Sequence, residues 1–223
     1  VTVEVRRAAA RFVTRADGIE TWHCFSYGAH YDPANTRHGL LVACNDSVVR
    51  PGAGFATHPH RGLEIVTWIV AGELRHADDL GNAGVVGPGV VQRLSAGSGV
   101  RHSERNARTD ADLRFVQTWL LPDGAGGEPS YERIDVRDLL ANGGLHRVVR
   151  LRDAVLWAGL LPPGERVTLP DDEHVHVYVV TGSATVDGAG EVTAGDSVRL
   201  TAAGATRLAA GAGGGQVLVW ATA

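Results

Sequence analysis

Thr57-His58-Pro59-His60-Arg61-Gly62, running directly into the apolar stretch from Leu63 to Val70, sets two imidazoles at alternate positions just ahead of a strand-forming run. Alternate side chains of an extended segment share a face, so His58 and His60 point the same way. Pro59 has no amide hydrogen for a neighbouring strand, which places the pair at a sheet edge or in a loop rather than in mid-sheet. A second pair of ligand types at the same spacing, His102-Ser103-Glu104, comes after a Gly/Asn hairpin and a further strand. Two such pairs on neighbouring strands of a small barrel converge on one point inside it.

Three imidazoles and a carboxylate make a nitrogen- and oxygen-rich donor set without thiolate, which suits Fe(II), Mn, Ni, Cu(II) or Zn better than Cu(I). Four protein ligands leave an octahedral ion two open positions, enough for a bidentate substrate or for substrate plus dioxygen. A tetrahedral Zn in the same cage is closed, and closed zinc sites are usually structural. Spacing does not choose the carboxylate: Glu64 follows His60 by four residues and keeps its parity, so it competes with Glu104.

Outside these motifs the chain reads as short β-like runs separated by Gly, Pro, Asn and Asp. Strands are expected at 39–45, 63–70, 90–94, 113–121, 175–180, 198–200 and 217–221, which are rich in β-branched and aromatic residues. One short helix is expected from Asp135 to Asn142, with Asp135 as its cap and Gly143 as its stop. The fold class is all-β. An internal repeat supports two barrels: Val70-Ala71-Gly72 matches Val180-Thr181-Gly182, Gly89 to Leu94 matches Gly195 to Leu200, and Pro51-Gly52 matches Pro163-Gly164. The Pro- and Gly-rich stretch from Pro122 to Pro129 has the composition of a linker, which sets the expected domains at 1–125 and 126–223.

The 223 residues suffice for two modest cores. A formal charge of -4, spread along the chain, gives no electrostatic footprint for a phosphate backbone, so no direct nucleic-acid contact is expected. No apolar stretch reaches the roughly 20 residues that span a bilayer, and the first residues lack the order of a secretory signal. The expectation is a cytoplasmic protein, with Cys24 and Cys44 as reduced thiols rather than a disulfide.

Gly52, His58, His60 and Glu64 fit the spacing of one cupin signature, and Gly99, His102 and Asn106 fit the other. From Phe55 to Asn106 the sequence resembles the pirin family more specifically. His58-Pro59-His60-Arg61-Gly62-Leu63-Glu64, Ala96-Gly97-Ser98-Gly99-Val100-Arg101-His102-Ser103-Glu104 and the His76-x-Asp78 hairpin carry that resemblance. It implies two cupin-type, jelly-roll β-barrels in tandem, with metal only in the N-terminal one. It also implies the ligands His58, His60, His102 and Glu104, which resolves the carboxylate in favour of Glu104 and leaves Glu64 as a neighbour that orients a ligand. Iron is the usual metal of the family. Quercetin 2,3-dioxygenase activity is the enzymatic reading it carries, a flavonol ring opened by dioxygen with loss of carbon monoxide. Other members act as iron-dependent regulatory partners of transcription or of metabolic enzymes.

An Fe(II) dioxygenase acting on a small aromatic enol, with Glu104 as general base, is therefore the expected function; a metal- or redox-dependent binding protein without turnover is the alternative, and a structural zinc cupin the third. Arg61 and His76 are weaker candidates beside the pocket. By the repeat, His58 and His60 correspond to Thr168 and Pro170, and His102 and Glu104 to Leu208 and Ala210, so the second barrel keeps no ligand. His174-Val175-His176 is read as a strand face or domain interface, Trp68 and Trp119 as packing, and His23, His30, His38 and His146 as structural.

Overall fold

The computed structural model describes residues 1–122 and 126–223 and is built almost wholly from strands. Among the described residues no helix is long and apolar enough to cross a membrane. The chain forms two compact units, one from Phe12–Thr36 and Val42–Asp135, the other from Val1–Arg11, Arg37–Leu41 and Val136–Ala223. This division differs from the expected 1–125 and 126–223, and strand pairing explains why. The strand Ser130–Asp135 pairs with Val90–Ser95 and so stays with the first unit. The strand Thr2–Arg6 pairs with Ser197–Thr201 and so joins the second. The expected linker at 122–129 falls partly outside the described residues.

The first unit holds two antiparallel sheets. The larger runs in the order Ser130–Asp135, Val90–Ser95, Glu64–Ala71, Leu113–Leu120, Leu41–Val49, Ile19–His23, Phe12–Ala16. The smaller runs Gly54–His60, Val100–Asn106, Leu74–Asp78, Ala83–Val86. Val49, Ile69 and Phe115 of the larger sheet pack in one cluster with Leu74 and Val86 of the smaller. Alternation along Val100–Asn106 follows the period of a half-buried strand: Val100, His102, Glu104 and Asn106 are buried, while Arg101 and Arg105 are exposed. Pro59 sits on the edge strand of the smaller sheet, where its missing amide hydrogen costs no ladder bond.

The second unit is a single eight-stranded antiparallel sheet system around an aliphatic core that includes Val177, Val179, Val198, Leu200, Leu208 and Val219. Its landmarks repeat those of the first. Gly72 and Gly182 have φ of 79° and 74°, Gly89 and Gly195 have 81° and 87°, and Gly52 and Gly164 have 77° and 72°. Registers agree as well, Ile65 pairing with Leu94 and Val175 with Leu200. Gly182 is constrained beyond its dihedral, because a Cβ there would lie 2.1 Å from the Gly214 carbonyl oxygen.

Strand extents differ from expectation mainly by excess: the last two expected runs lie within Ser197–Thr201 and the long Arg207–Thr222, and 175–180 within His174–Val186. The helix is shorter than expected. It covers only Arg137–Leu140, begins at Val136 without a side-chain cap, and leaves Asp135 as the last residue of a strand. Pairing with Val90 holds Asp135 in the sheet, so a residue suited to capping serves as a strand end.

Asn106 ties the end of its strand to two loops. Its Nδ2 donates to the Val49 and Ala111 carbonyls, each at 2.9 Å, and its Oδ1 accepts from the Arg108 amide at 2.9 Å. Asn106→Ala strands buried polar groups, and urea titration of the purified protein should give a loss of about 1–3 kcal/mol with unchanged m-value.

Candidate metal centre

His58 and His60 face inward from the edge strand Gly54–His60, and the neighbouring strand supplies His102 opposite His58. The three rings lie 4.6 to 5.0 Å apart between centroids. His58 Nε2 and His102 Nε2 are 3.1 Å apart. His58 Nδ1 lies 2.8 Å from the Ala56 carbonyl oxygen, an atom that only accepts. The ring proton is therefore on Nδ1, and Nε2 presents its lone pair to the other two histidines. His60 Nε2 is buried without a hydrogen-bond partner among the described residues. A buried nitrogen left without a partner, beside two more only 3.1 Å apart, is what a cation would satisfy.

Donor atoms of His58, His60 and His102 lie within 4.8 Å of one another, close enough to hold one ion. Glu104 is brought in through a second, overlapping group, made with His102 and His76. Burial, followed by the neighbouring charges of His102 and His58, pushes His60 down to about 4. Burial, then His58 and His76, pushes His102 down to about 3. At neutral pH both are uncharged imidazoles, the form that binds metal.

Glu104 is 2% exposed, and its charge is met by two side-chain amides. Gln92 Nε2 donates to Oε1 at 3.1 Å, and Gln117 Nε2 donates to both oxygens, at 3.1 and 2.9 Å. Each amide is itself oriented: Trp119 Nε1 donates to Gln117 Oε1 at 2.9 Å, and the Tyr131 hydroxyl donates to Gln92 Oε1 at 3.2 Å. Burial lifts Tyr131 to about 12, so its hydroxyl remains a donor. No motif spacing marks Gln92 or Gln117. The signal available was their position as inward-facing polar residues within apolar strands.

Other expected residues fall differently. Glu64 is outside both groups, and accepts from Arg93 Nε at 3.0 Å and Ser95 Oγ at 2.6 Å. The parity argument that placed it near the histidines fails at Gly62, whose φ of 64° breaks the extended chain between two strands of different sheets. Arg61 is exposed and does not line the cleft. His76 is fully buried beside His102, and Asp78 both receives its Nε2–H at 3.0 Å and accepts from the amides of Leu80 and Asn82, so the hairpin role and the pocket role are held by one pair. His174 and His176 lie on one strand face of the second unit, as expected, with His174 edge-on to His38.

A cleft of about 360 Å³ reaches His58 and Glu104. Phe55, Phe115, Ile19 and Trp119 supply apolar wall, and Thr21, His23, Asn45 and Ser47 supply polar wall. Trp119 and His23 are thus cleft residues, contrary to the packing and structural roles expected of them. Trp119 also meets His60 edge-on at 5.0 Å. Trp68 is buried as expected.

The Pirin family model matches residues 3–120 of the chain. A Mycobacterium tuberculosis protein with a provisional quercetin 2,3-dioxygenase name is 43% identical over 98% of this chain and 94% of its own length. Escherichia coli quercetin 2,3-dioxygenase is 32% identical over 83% of this chain and 84% of its own. Among solved structures, Escherichia coli YhhW superposes with a TM-score of 0.92 at 28% identity, covering all of this chain and 98% of that one. The same bacterial pirin has been solved in complex with nickel(II), with a TM-score of 0.87 at 27% identity, covering 98% of each chain.

Replacing both Gln92 and Gln117 by Leu removes the donors that orient Glu104, and competition titration with a chromogenic chelator should show metal affinity lowered about 10–100-fold. The metal-free protein should also lose stability in acid. Because folding holds His60 near 4 and His102 near 3, against about 6.5 in the unfolded chain, the unfolded state takes up more protons between those values. The melting temperature should be highest above pH 6.5 and fall as pH drops toward 3, with a shallower fall in a His60→Leu variant.

Proposed function

The chain belongs to the pirin family, and from that premise we propose that it is an Fe(II)-dependent dioxygenase cleaving quercetin or a related flavonol or enol, with His58, His60, His102 and Glu104 around the metal. The observation that carries this reading is the grouping of His58, His60 and His102, with buried Glu104 joined to it through His102, and an aromatic-walled cleft that His58 and Glu104 both line. The donor set fits a divalent cation, since His60 and His102 are uncharged at neutral pH and His60 Nε2 is buried with no partner among the described residues. The names of the Escherichia coli and mycobacterial relatives support the choice of substrate class.

When bound, the metal supplies Lewis acidity toward an enol oxygen and access to dioxygen chemistry. The protein's own part begins with Phe55, Phe115 and Trp119, whose rings wall the cleft and favour a flat aromatic ligand. Glu104 lines the same cleft, so its carboxylate is available to take the proton of the substrate's enol hydroxyl. The two amide donors of Gln92 and Gln117 fix the direction from which the carboxylate acts. The Ala56 carbonyl, accepting from His58 Nδ1, turns Nε2 of that ring toward His102.

Iron-loaded protein mixed anaerobically with quercetin should bleach the flavonol's visible absorption on admission of air and release carbon monoxide. Glu104→Gln should retain metal yet turn over about 10²–10⁴-fold more slowly. Bleaching by a His58→Ala variant at the wild-type rate would overturn the reading.

A further inference from the structure

We infer that His76 is a metal ligand, and that this cage offers a cation a second, deeper position held by His76, His102 and Glu104. His76 stands opposite Glu104 in the register of the smaller sheet, and its side chain is fully buried. The donor atoms of the three residues lie within 4.8 Å of one another, as tight a grouping as that of His58, His60 and His102. All three residues are buried, whereas His58 and His60 are half-exposed.

The protonation of His76 is set by its partner. Asp78 Oδ2 lies 3.0 Å from Nε2, and the carboxylate, which only accepts, also takes the Asn82 backbone N–H at 2.9 Å and its side-chain amide at 3.0 Å. The ring proton therefore sits on Nε2, and Nδ1 carries a lone pair. That Nδ1 is buried and has no hydrogen-bond partner among the described residues. A buried nitrogen without a partner does not by itself mark a ligand, since His174 Nδ1 is in the same position. A ring that donates one N–H to a carboxylate and presents the other nitrogen bare is instead the arrangement of a metal-ligating imidazole. Tyr131 stacks on the ring at 4.4 Å and 12°, which fixes the plane in which Nδ1 points.

Two imidazoles and a carboxylate suit the same divalent ions as the outer group, and the carboxylate adds a negative charge that three imidazoles lack. His102 belongs to both groups, so an ion passing between the two positions keeps one ligand throughout. The inference rests on the proposed metal site and is independent of turnover.

Nickel(II) binding by calorimetry separates the two readings. Wild type should bind one Ni(II). A His58→Ala/His60→Ala variant, left with only the deeper group, should still bind one Ni(II), about 10–100-fold more weakly. Adding His76→Phe, which keeps the Tyr131 stack, should weaken binding at least tenfold further. Equal affinity of the double and triple variants overturns the deeper position while leaving the outer site standing; absence of Ni(II) binding by wild type overturns both. A readout on the unsubstituted ligands guards against misfolded variants. In Co(II)-loaded wild type the solvent-shielded Nε2–H of His76 should give a slowly exchanging, hyperfine-shifted proton resonance that Asp78→Asn displaces. A Co(II) spectrum in which Asp78→Asn displaces no shifted ring N–H resonance rejects His76 as a ligand.

Discussion

A carboxylate held inside a barrel must be met by donors, and here the donors come from the opposite sheet. Glu104 belongs to the four-stranded sheet, and the amides of Gln92 and Gln117 belong to the seven-stranded one. An uncompensated buried charge costs several kcal/mol, so this contact specifies how the two sheets face each other around Glu104. Around it the inner faces divide. Val49, Leu74 and Phe115 fill one region with apolar contact, and the histidines cluster on the smaller sheet near the open edge. A site that needs neutral imidazoles is built by the same burial that shapes the core, because desolvation is the largest influence on both His60 and His102.

How much of this could be read in advance depended on the range of each signal. Local signals were reliable. Pro59 announced an edge, alternate spacing put His58 with His60 and His102 with Glu104 on common faces, and the repeated Gly turns announced two related units. Signals that had to cross a break in the chain were not. Glu64 shares parity with His60 only in an unbroken strand, and Gly62 ends that strand; the side chain instead pairs with Arg93. Asp135 looked like a cap because capping chemistry is local, but its pairing with Val90 is not. Gln117, Trp119 and His23 carry no motif, and only the pairing of distant strands brings them to the cleft. The domain division failed for a similar reason, since a linker-like composition says nothing about which sheet the following strand completes.

The second unit shows what the same register does without a site. Val175 and Leu200 repeat the pairing of Ile65 and Leu94, and His174 stands where Glu64 stands. At the positions corresponding to His102 and Glu104 it has Leu208 and Ala210, and both belong to its aliphatic core. Polar groups that demanded partners have been exchanged for side chains that demand only volume. Two of the histidines in that unit, His174 and His176, lie on a different strand and pack near Arg199 and His38.

The pairing of Thr2–Arg6 with Ser197–Thr201 bears on the order of events at the ribosome. Thr2–Arg6 finds its partner only once residues 197–201 have emerged, and by then the chain between them has made every strand of the other unit. That unit holds all its strands between residues 12 and 135 and is free to close early, while the amino-terminal segment waits as an unpaired edge. Vectorial synthesis thus separates the two units in time: the one that holds the cleft can close while the other still awaits the strand that pairs with Thr2–Arg6.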